Sequence, residues 1–338
     1  MRLNRIKPPI IILFFIRLSL RLISSPIGTA FFFLTKPLFK KKKRSMIHTA
    51  WWYAYQFNFA SRYKIGKIQS TNKGYRKITV VKDGYDHFKF YNTVFHLSCV
   101  SHILYELSQG YLPVIDDRFH VWAQFFEQPL CKEKIEEQEL AQIPVSDEPS
   151  TLHSPRWIPY CKQMRVVWGK LLRDFCRLRP NEANYISEEI KTILQDYRVL
   201  GVVRRSTDYV AANMAAQPSV EDMISEARVW METYNYDRIY LATEDERIFK
   251  QFDAAFPGKI LVNKRTYYDQ AMTDQNVTWI GQVHFNREND DYLKGLEYLS
   301  SIYILSHCHA LLAGYCGAQN MALLLNQEKY ERFKIYDA

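Results

Sequence analysis

The chain of 338 residues carries 45 Lys and Arg against 36 Asp and Glu, a formal net charge of +9. Residues 1–45 hold eleven of those basic groups and no acidic one, which leaves 34 basic and 36 acidic residues, a net of −2, for 46–338. A near-neutral body excludes a nucleic-acid partner held by surface phosphate contacts, and 47% hydrophobic with 15% aromatic content excludes a disordered chain.

Residues 10–16 form an apolar run shorter than the ~20 residues a spanning helix needs. Arg17 and Arg21 interrupt it, Ser24-Ser25-Pro26 breaks it, Phe31-Phe32-Phe33-Leu34 resumes it, and Lys40 to Arg44 closes it. With no small-residue cleavage site after the first run, residues 1–45 read as an interfacial anchor on an anionic membrane surface, peripheral or monotopic at the cytoplasmic face. A signal-anchor across residues 10–34 is the alternative topology. Residues 46–84 read as a connecting segment, with a β-branched run at 77–81 that predicts a short strand.

Apolar spacing predicts a helix over 93–108 and a strand over 111–115. The acidic, Pro-bearing stretch 131–154 reads as a surface excursion, and helices are predicted over 164–176 and 182–197. From residue 199 onward the pattern alternates strand and helix. Strands are predicted at 199–203, 238–242, 259–262, 310–313 and 332–336. Helices follow a Ser219/Asp222 box, follow a Thr243/Glu246 box, and cover 292–307 and 319–325. Such alternation implies a doubly wound parallel sheet with right-handed crossovers. The six cysteines (Cys99, Cys131, Cys161, Cys176, Cys308, Cys316) contain no CxxC pair and no zinc spacing, and read as buried thiols of a reducing compartment.

Ligands of such sheets bind beyond the carboxyl ends of the strands. Those ends carry Arg204-Arg205-Ser206-Thr207-Asp208-Tyr209, Thr243-Glu244-Asp245, Asn263-Lys264-Arg265 and Gly314-Tyr315-Cys316-Gly317-Ala318-Gln319. A strand-end Arg offers a planar fork of donors to a diphosphate, and a Gly-rich turn into a helix offers backbone N–H groups at a positive dipole end. Plainer readings stand beside these: an Arg204 or Arg205 pair with Asp208, helix capping by the Thr243 segment, and tight-turn glycines at 314 and 317. No GxGxxG, Walker loop, GxSxG, HExxH or Asp-x-Asp occurs.

The segments Val203-Arg204-Arg205-Ser206-Thr207-Asp208-Tyr209, Gln217-Pro218-Ser219 and Ile239-Tyr240-Leu241-Ala242-Thr243-Glu244-Asp245 together resemble the O-fucosyltransferase/core α1,6-fucosyltransferase superfamily, in particular a bacterial branch of polysaccharide glycosyltransferases. Gly110 to Asp116, Phe126-Glu127-Gln128-Pro129, Arg287-Glu288-Asn289-Asp290 and Tyr292 to Leu299 extend the resemblance over about residues 85–338. It implies an α/β, GT-B-like fold of two Rossmann-like lobes with a cleft between them: an N-terminal acceptor-side lobe over 85–195 and a C-terminal nucleotide-sugar lobe over 196–338. It also implies an inverting, metal-independent transfer from a nucleotide sugar, GDP-fucose first, to a glycan or lipid-linked oligosaccharide, with no other cofactor and no metal site.

Carried over residue by residue, Arg205 matches the phosphate-binding Arg and Asp208 its supporting carboxylate. Ala318-Gln319 match the pair on the diphosphate, and Thr243-Glu244-Asp245 the segment beside donor and acceptor. Thr207, Tyr209, Gly317 and Ser301 complete the implied donor site, and Arg205 with Glu244 or Asp245 the catalytic set. The chain departs from the pattern at Val203, Ser206, Tyr209, Ser301 and Phe90-Tyr91-Asn92. Those departures motivate an alternative: an inactive, membrane-associated binding or scaffold protein on the same fold.

Overall fold

The computed structural model describes residues 63–78, 91–116, 122–130, 137–146, 158–211 and 217–336. The anchor expected at 1–45 and most of the 46–84 segment lie outside these residues. Among those described, no helix is long and apolar enough to cross a membrane.

The C-terminal half is built on five parallel strands, β3 (Val199–Val203), β4 (Arg238–Ala242), β5 (Ile260–Leu261), β6 (Ala310–Gly314) and β7 (Arg332–Tyr336), in spatial order β5-β4-β3-β6-β7. β3, β4 and β6 read as continuous apolar runs because helices cover both of their faces. Val199, Val203, Tyr240, Ala242, Leu311 and Ala313 join one core with α1 (Thr93–Gln109), α2 (Lys162–Phe175), α6 (Asp290–His307) and α7 (Gly317–Asn326). The alternate residues Leu200, Val202, Ile239, Leu241, Ala310 and Leu312 join a second core with α4 (Val220–Tyr234) and α5 (Glu246–Ala255). The remaining long helix, α3 (Pro180–Leu194), packs along α6. The 2.0-residue period of a strand thus sorts one sequence into two cores. The chain first winds outward from β3 to β5 and then returns to β6, so the switch point of the sheet lies between β3 and β6.

Local chemistry sets the boundaries. Ser219 caps α4, its hydroxyl accepting the Asp222 amide at 3.0 Å, and Asn235 ends that helix in the left-handed region at φ 55°. At α5 the cap is Asp245, not Thr243: its side chain accepts the Arg247 amide at 2.9 Å. α7 begins at Gly317, two residues before the predicted start, so the Gly-rich turn is in fact the first turn of the helix.

In the N-terminal half β1 (Tyr75–Ile78) pairs in parallel with β2 (Leu112–Ile115). A parallel bridge from Lys77 to Val145 docks part of the predicted surface excursion on the other side of β1. β1 lies before residue 85 and shares a sheet with β2, which lies after it. α2 crosses α7 so closely that a Cβ on Gly169 would sit 2.6 Å from the Leu324 carbonyl oxygen. Cys99, Cys161, Cys176, Cys308 and Cys316 are buried and in no disulfide, and Cys131 lies outside the described residues.

Candidate active site

The segments ending β3, β4 and β6 converge at the switch point, and Arg205 is their centre. Its Nη2 donates to Asp208 Oδ1 at 2.7 Å, its Nε lies 3.4 Å from Glu244 Oε2, and its guanidinium stacks over the Tyr209 ring at 4.7 Å. Of the two alternatives, Arg205 takes the Asp208 pair. Burial works against its charge, and Glu244 and Asp208 more than offset that, holding it above the ordinary arginine value. Arg204 turns elsewhere: its amide donates to the Ala242 carbonyl at 3.1 Å, its Nη1 bonds the Arg205 carbonyl, and burial holds it below the ordinary value.

Glu244 ties the β3 and β4 ends together. Its Oε1 accepts the Ser206 amide at 2.6 Å and the Thr207 hydroxyl at 2.8 Å, while its Oε2 is buried, faces Arg205 and makes no hydrogen bond. Thr243 contributes its hydroxyl to the Asp245 amide at 3.3 Å and its carbonyl to Arg265. Arg265 in turn is steadied by Asn263 Oδ1 at 2.9 Å.

Asp245 is bonded within its own segment. Its Oδ1 accepts the Arg247 amide and Nε at 2.9 and 3.0 Å, and its Oδ2 accepts Nη2 at 2.7 Å. Burial alone would raise its pKa, but the bonds from Arg247 and Ser206 hold it below the ordinary carboxylate value. Asp245 thus caps α5, and Glu244 is the carboxylate that meets the central cation. Because the folded value of Asp245 is depressed, its contribution to stability is present above the unfolded value of about 3.9 and lost as pH falls through the lower folded value. Asp245→Asn is expected to lose about 1–2 kcal/mol at neutral pH. In thermal melts against pH, its gap to wild type should close on acidification; a constant gap would refute the assignment.

The first turn of α7 faces the same cluster. Burial raises the Cys316 thiol above its ordinary value, with the nearby Gln319 and Ala318 amides and Arg205 acting the other way. Burial also raises the Tyr209 hydroxyl, with Arg205 and the Gly317 amide acting the other way. Tyr298, pushed up to about 12 by burial, completes a neutral ring of hydroxyl and thiol groups around Arg205. Gln319 is fully buried: its Nε2 donates to the Cys316 carbonyl at 3.0 Å, and its Oε1 has no partner. Ser301 spends its hydroxyl on the Tyr298 carbonyl of its own helix at 2.9 Å.

Two residues outside the implied site hold it together. Gln217 accepts the Arg205 amide on Oε1 at 3.3 Å and donates from Nε2 to the Tyr315 carbonyl at 3.0 Å, clamping the β3 and β6 ends across the switch point. Its carboxamide fills the space a Cβ on Gly314 would take, and the Thr93 hydroxyl does the same at Gly317. Neither glycine has positive φ, so both are there for close approach, not for a tight turn. The Gln217-Pro218-Ser219 motif was a signal for the first clamp; no sequence signal pointed to Thr93.

Glu244, Asp245 and Glu246 face three separate cations, Arg205, Arg247 and Lys250, and form no shared metal cluster. The described His284, Asp290 and Asp291 lie near one another, but Lys294 already meets both aspartates at 3.2 and 2.8 Å. A 430 Å³ cavity lined by Cys176, His307, Cys308 and His309 lies at the amino end of β6, away from Arg205.

No protein-family model and no curated protein matches the chain. Solved structures do. A NodZ alpha-1,6-fucosyltransferase soaked with GDP-fucose is 12% identical, with TM-score 0.45 over 74% of this chain and 92% of that one. Fucosyltransferase NodZ from Bradyrhizobium is 13% identical, with TM-score 0.43 over 73% and 92%. A point mutant of Arabidopsis thaliana FUT1 in complex with GDP is 10% identical, with TM-score 0.41 over 84% and 78%.

Proposed function

We propose that the chain is a glycosyltransferase that moves a sugar from a nucleotide donor to an acceptor hydroxyl, with inversion and without a metal ion. The observation that carries the reading is Arg205: a buried guanidinium at the switch point, opposite the first turn of α7 and held by two carboxylates. A diphosphate needs this pairing of a fixed cation with helix N-terminal amides.

In the proposed reaction the acceptor oxygen attacks the anomeric carbon as the bond from that carbon to the diphosphate oxygen breaks. Arg205 and the α7 amides take up the charge on the departing diphosphate. The thiol and phenol beside those amides are neutral, weak acceptors, and phosphate oxygens would take their place at little cost. A diphosphate also competes with Glu244 for Arg205, which frees Glu244 Oε2 to accept the acceptor's proton.

GDP-fucose is the first donor to test, following the motif resemblance at 203–209. The proposed setting is polysaccharide assembly at the cytoplasmic face of a membrane, with residues 1–45 on anionic headgroups and a glycan or lipid-linked acceptor. A thermal-shift panel of GDP- and UDP-sugars tests the reading, because a ligand bound only by the folded state raises its melting temperature. A GDP-sugar should give a rise that Arg205→Lys removes.

A second reading, a binding or scaffold protein, is favoured by one group of observations. Arg205 already has two carboxylates, Ser301 is spent on its own helix, and the Gln319 amide nitrogen is spent on its own turn. No shift with any nucleotide sugar would select that reading.

A further inference from the structure

The cationic character of the chain does not end with residues 1–45. No Asp or Glu occurs before Asp83, and residues 1–82 carry 18 Lys and Arg. The remainder, 83–338, holds 27 basic and 36 acidic residues, a net of −9. The first described elements therefore belong electrostatically to the basic end, although they fold with the body.

They present that charge outward. Lys64 and Lys67 are exposed on the turn formed by the short helix Ile65–Ser70, whose Ile65 and Ile68 pack inward against the main core. Lys73 is exposed over the Tyr111 ring at 5.6 Å, and Arg76 stacks on the same ring at 4.5 Å. Tyr75, 43% exposed, is the neighbouring large side chain on β1. Lys64, Lys67 and Lys73 form no ion pair among the described residues. Lys77 differs: it is buried on the Leu140 carbonyl at 3.0 Å and lies 3.9 Å from Asp116.

We infer that the outward face of residues 64–76 is a docking surface on the folded body for anionic phospholipid headgroups. Exposed lysines with no ion pair among the described residues give headgroup contacts without first breaking such pairs. Tyrosines at the same level match the amphipathic rings that sit at membrane interfaces. The negative remainder is repelled by the same surface, so the charge asymmetry orients the molecule with this face toward the bilayer. A lipid surface is favoured over a polyanionic nucleic acid because the chain leading into this face carries the apolar runs 10–16 and 31–34.

The test uses the full chain and vesicles of phosphatidylcholine with or without phosphatidylglycerol. Lys64→Gln, Lys67→Gln and Lys73→Gln together should weaken partitioning to the anionic vesicles by about tenfold or more at low salt, with less effect at high salt. The same change at the exposed Lys191, Lys250 and Lys259 should leave binding unaltered. Unchanged binding by the first triple variant, an equal loss in the second, or preference for a DNA oligonucleotide over the vesicles would each overturn the inference. A matching melting temperature shows that the variants fold, and nucleotide-sugar binding, read separately, should be the same in all three proteins.

Discussion

Arg205→Lys is expected to lower transfer by about 10²–10³-fold while the melting temperature stays near that of the wild type. The substitution keeps one positive charge between Asp208 and Glu244, so neither buried carboxylate is left without a cation. It removes the planar fork that reaches Asp208 from Nη2 at 2.7 Å and faces Glu244 from Nε at 3.4 Å. An ammonium on a flexible stem satisfies one of these partners at a time. It also loses the flat stacking on Tyr209, which fixes the guanidinium plane relative to the first turn of α7. Arg205→Ala separates charge from geometry in the other direction: with the cation gone, two buried carboxylates face each other and the cost rises to about 3–5 kcal/mol. Donor-consumption assays and thermal melts on the two variants together decide the matter. Wild-type turnover in Arg205→Lys would remove Arg205 from the reaction, and a stable Arg205→Ala would remove it from the fold.

That contrast also marks what the sequence made legible. Strands β3, β4 and β6 are covered on both faces and so appear as unbroken apolar runs; their ends, where polar residues resume, located the site without coordinates. Arg205 and Asp208 are three residues apart, within one turn, and their pairing was already one of two readings. The choice between Glu244 and Asp245 was not legible, since adjacent residues differ only in which way the chain turns at the start of α5. The arginine that commits Asp245 to capping lies two residues on, but the one that meets Glu244 lies at the end of another strand. β1 was legible but shifted: the β-branched run put a strand at 77–81, and pairing with β2 starts it two residues earlier, at Tyr75. The joints between segments were the least legible part. Gln217 reaches a carbonyl 98 residues away, and the Thr93 hydroxyl lies against Gly317 from the far side of the chain.

Gly317→Ala tests the most distant of those joints, and its sign depends on Thr93. In isolation, alanine at a helical position is favoured over glycine by about 1 kcal/mol. Here the new Cβ would fall on the Thr93 hydroxyl, with Thr93 Cβ at 3.2 Å and the Tyr298 hydroxyl at 3.8 Å. The hydroxyl belongs to the first residue of α1, whose inner face is buried in the main core, so it has little room to yield. Overpacking of this kind costs about 1–3 kcal/mol. Relief requires α1 and α7 to part, carrying the Gly317, Ala318 and Gln319 amides away from Arg205. A displacement near 1 Å at a diphosphate site is worth about 10²-fold in rate. Gly317→Ala is therefore expected to lower both the melting temperature and donor turnover. With Thr93→Ala in the same chain, the methyl group enters space the hydroxyl has vacated, and most of both losses should return. The double-mutant coupling reads the contact directly. An alanine at 317 that leaves stability and turnover unchanged, or a loss that Thr93→Ala does not relieve, would mean that the two helices do not meet at this glycine. In that case the α7 amides are positioned by the sheet alone, through β6 and the Gln217 clamp on Tyr315.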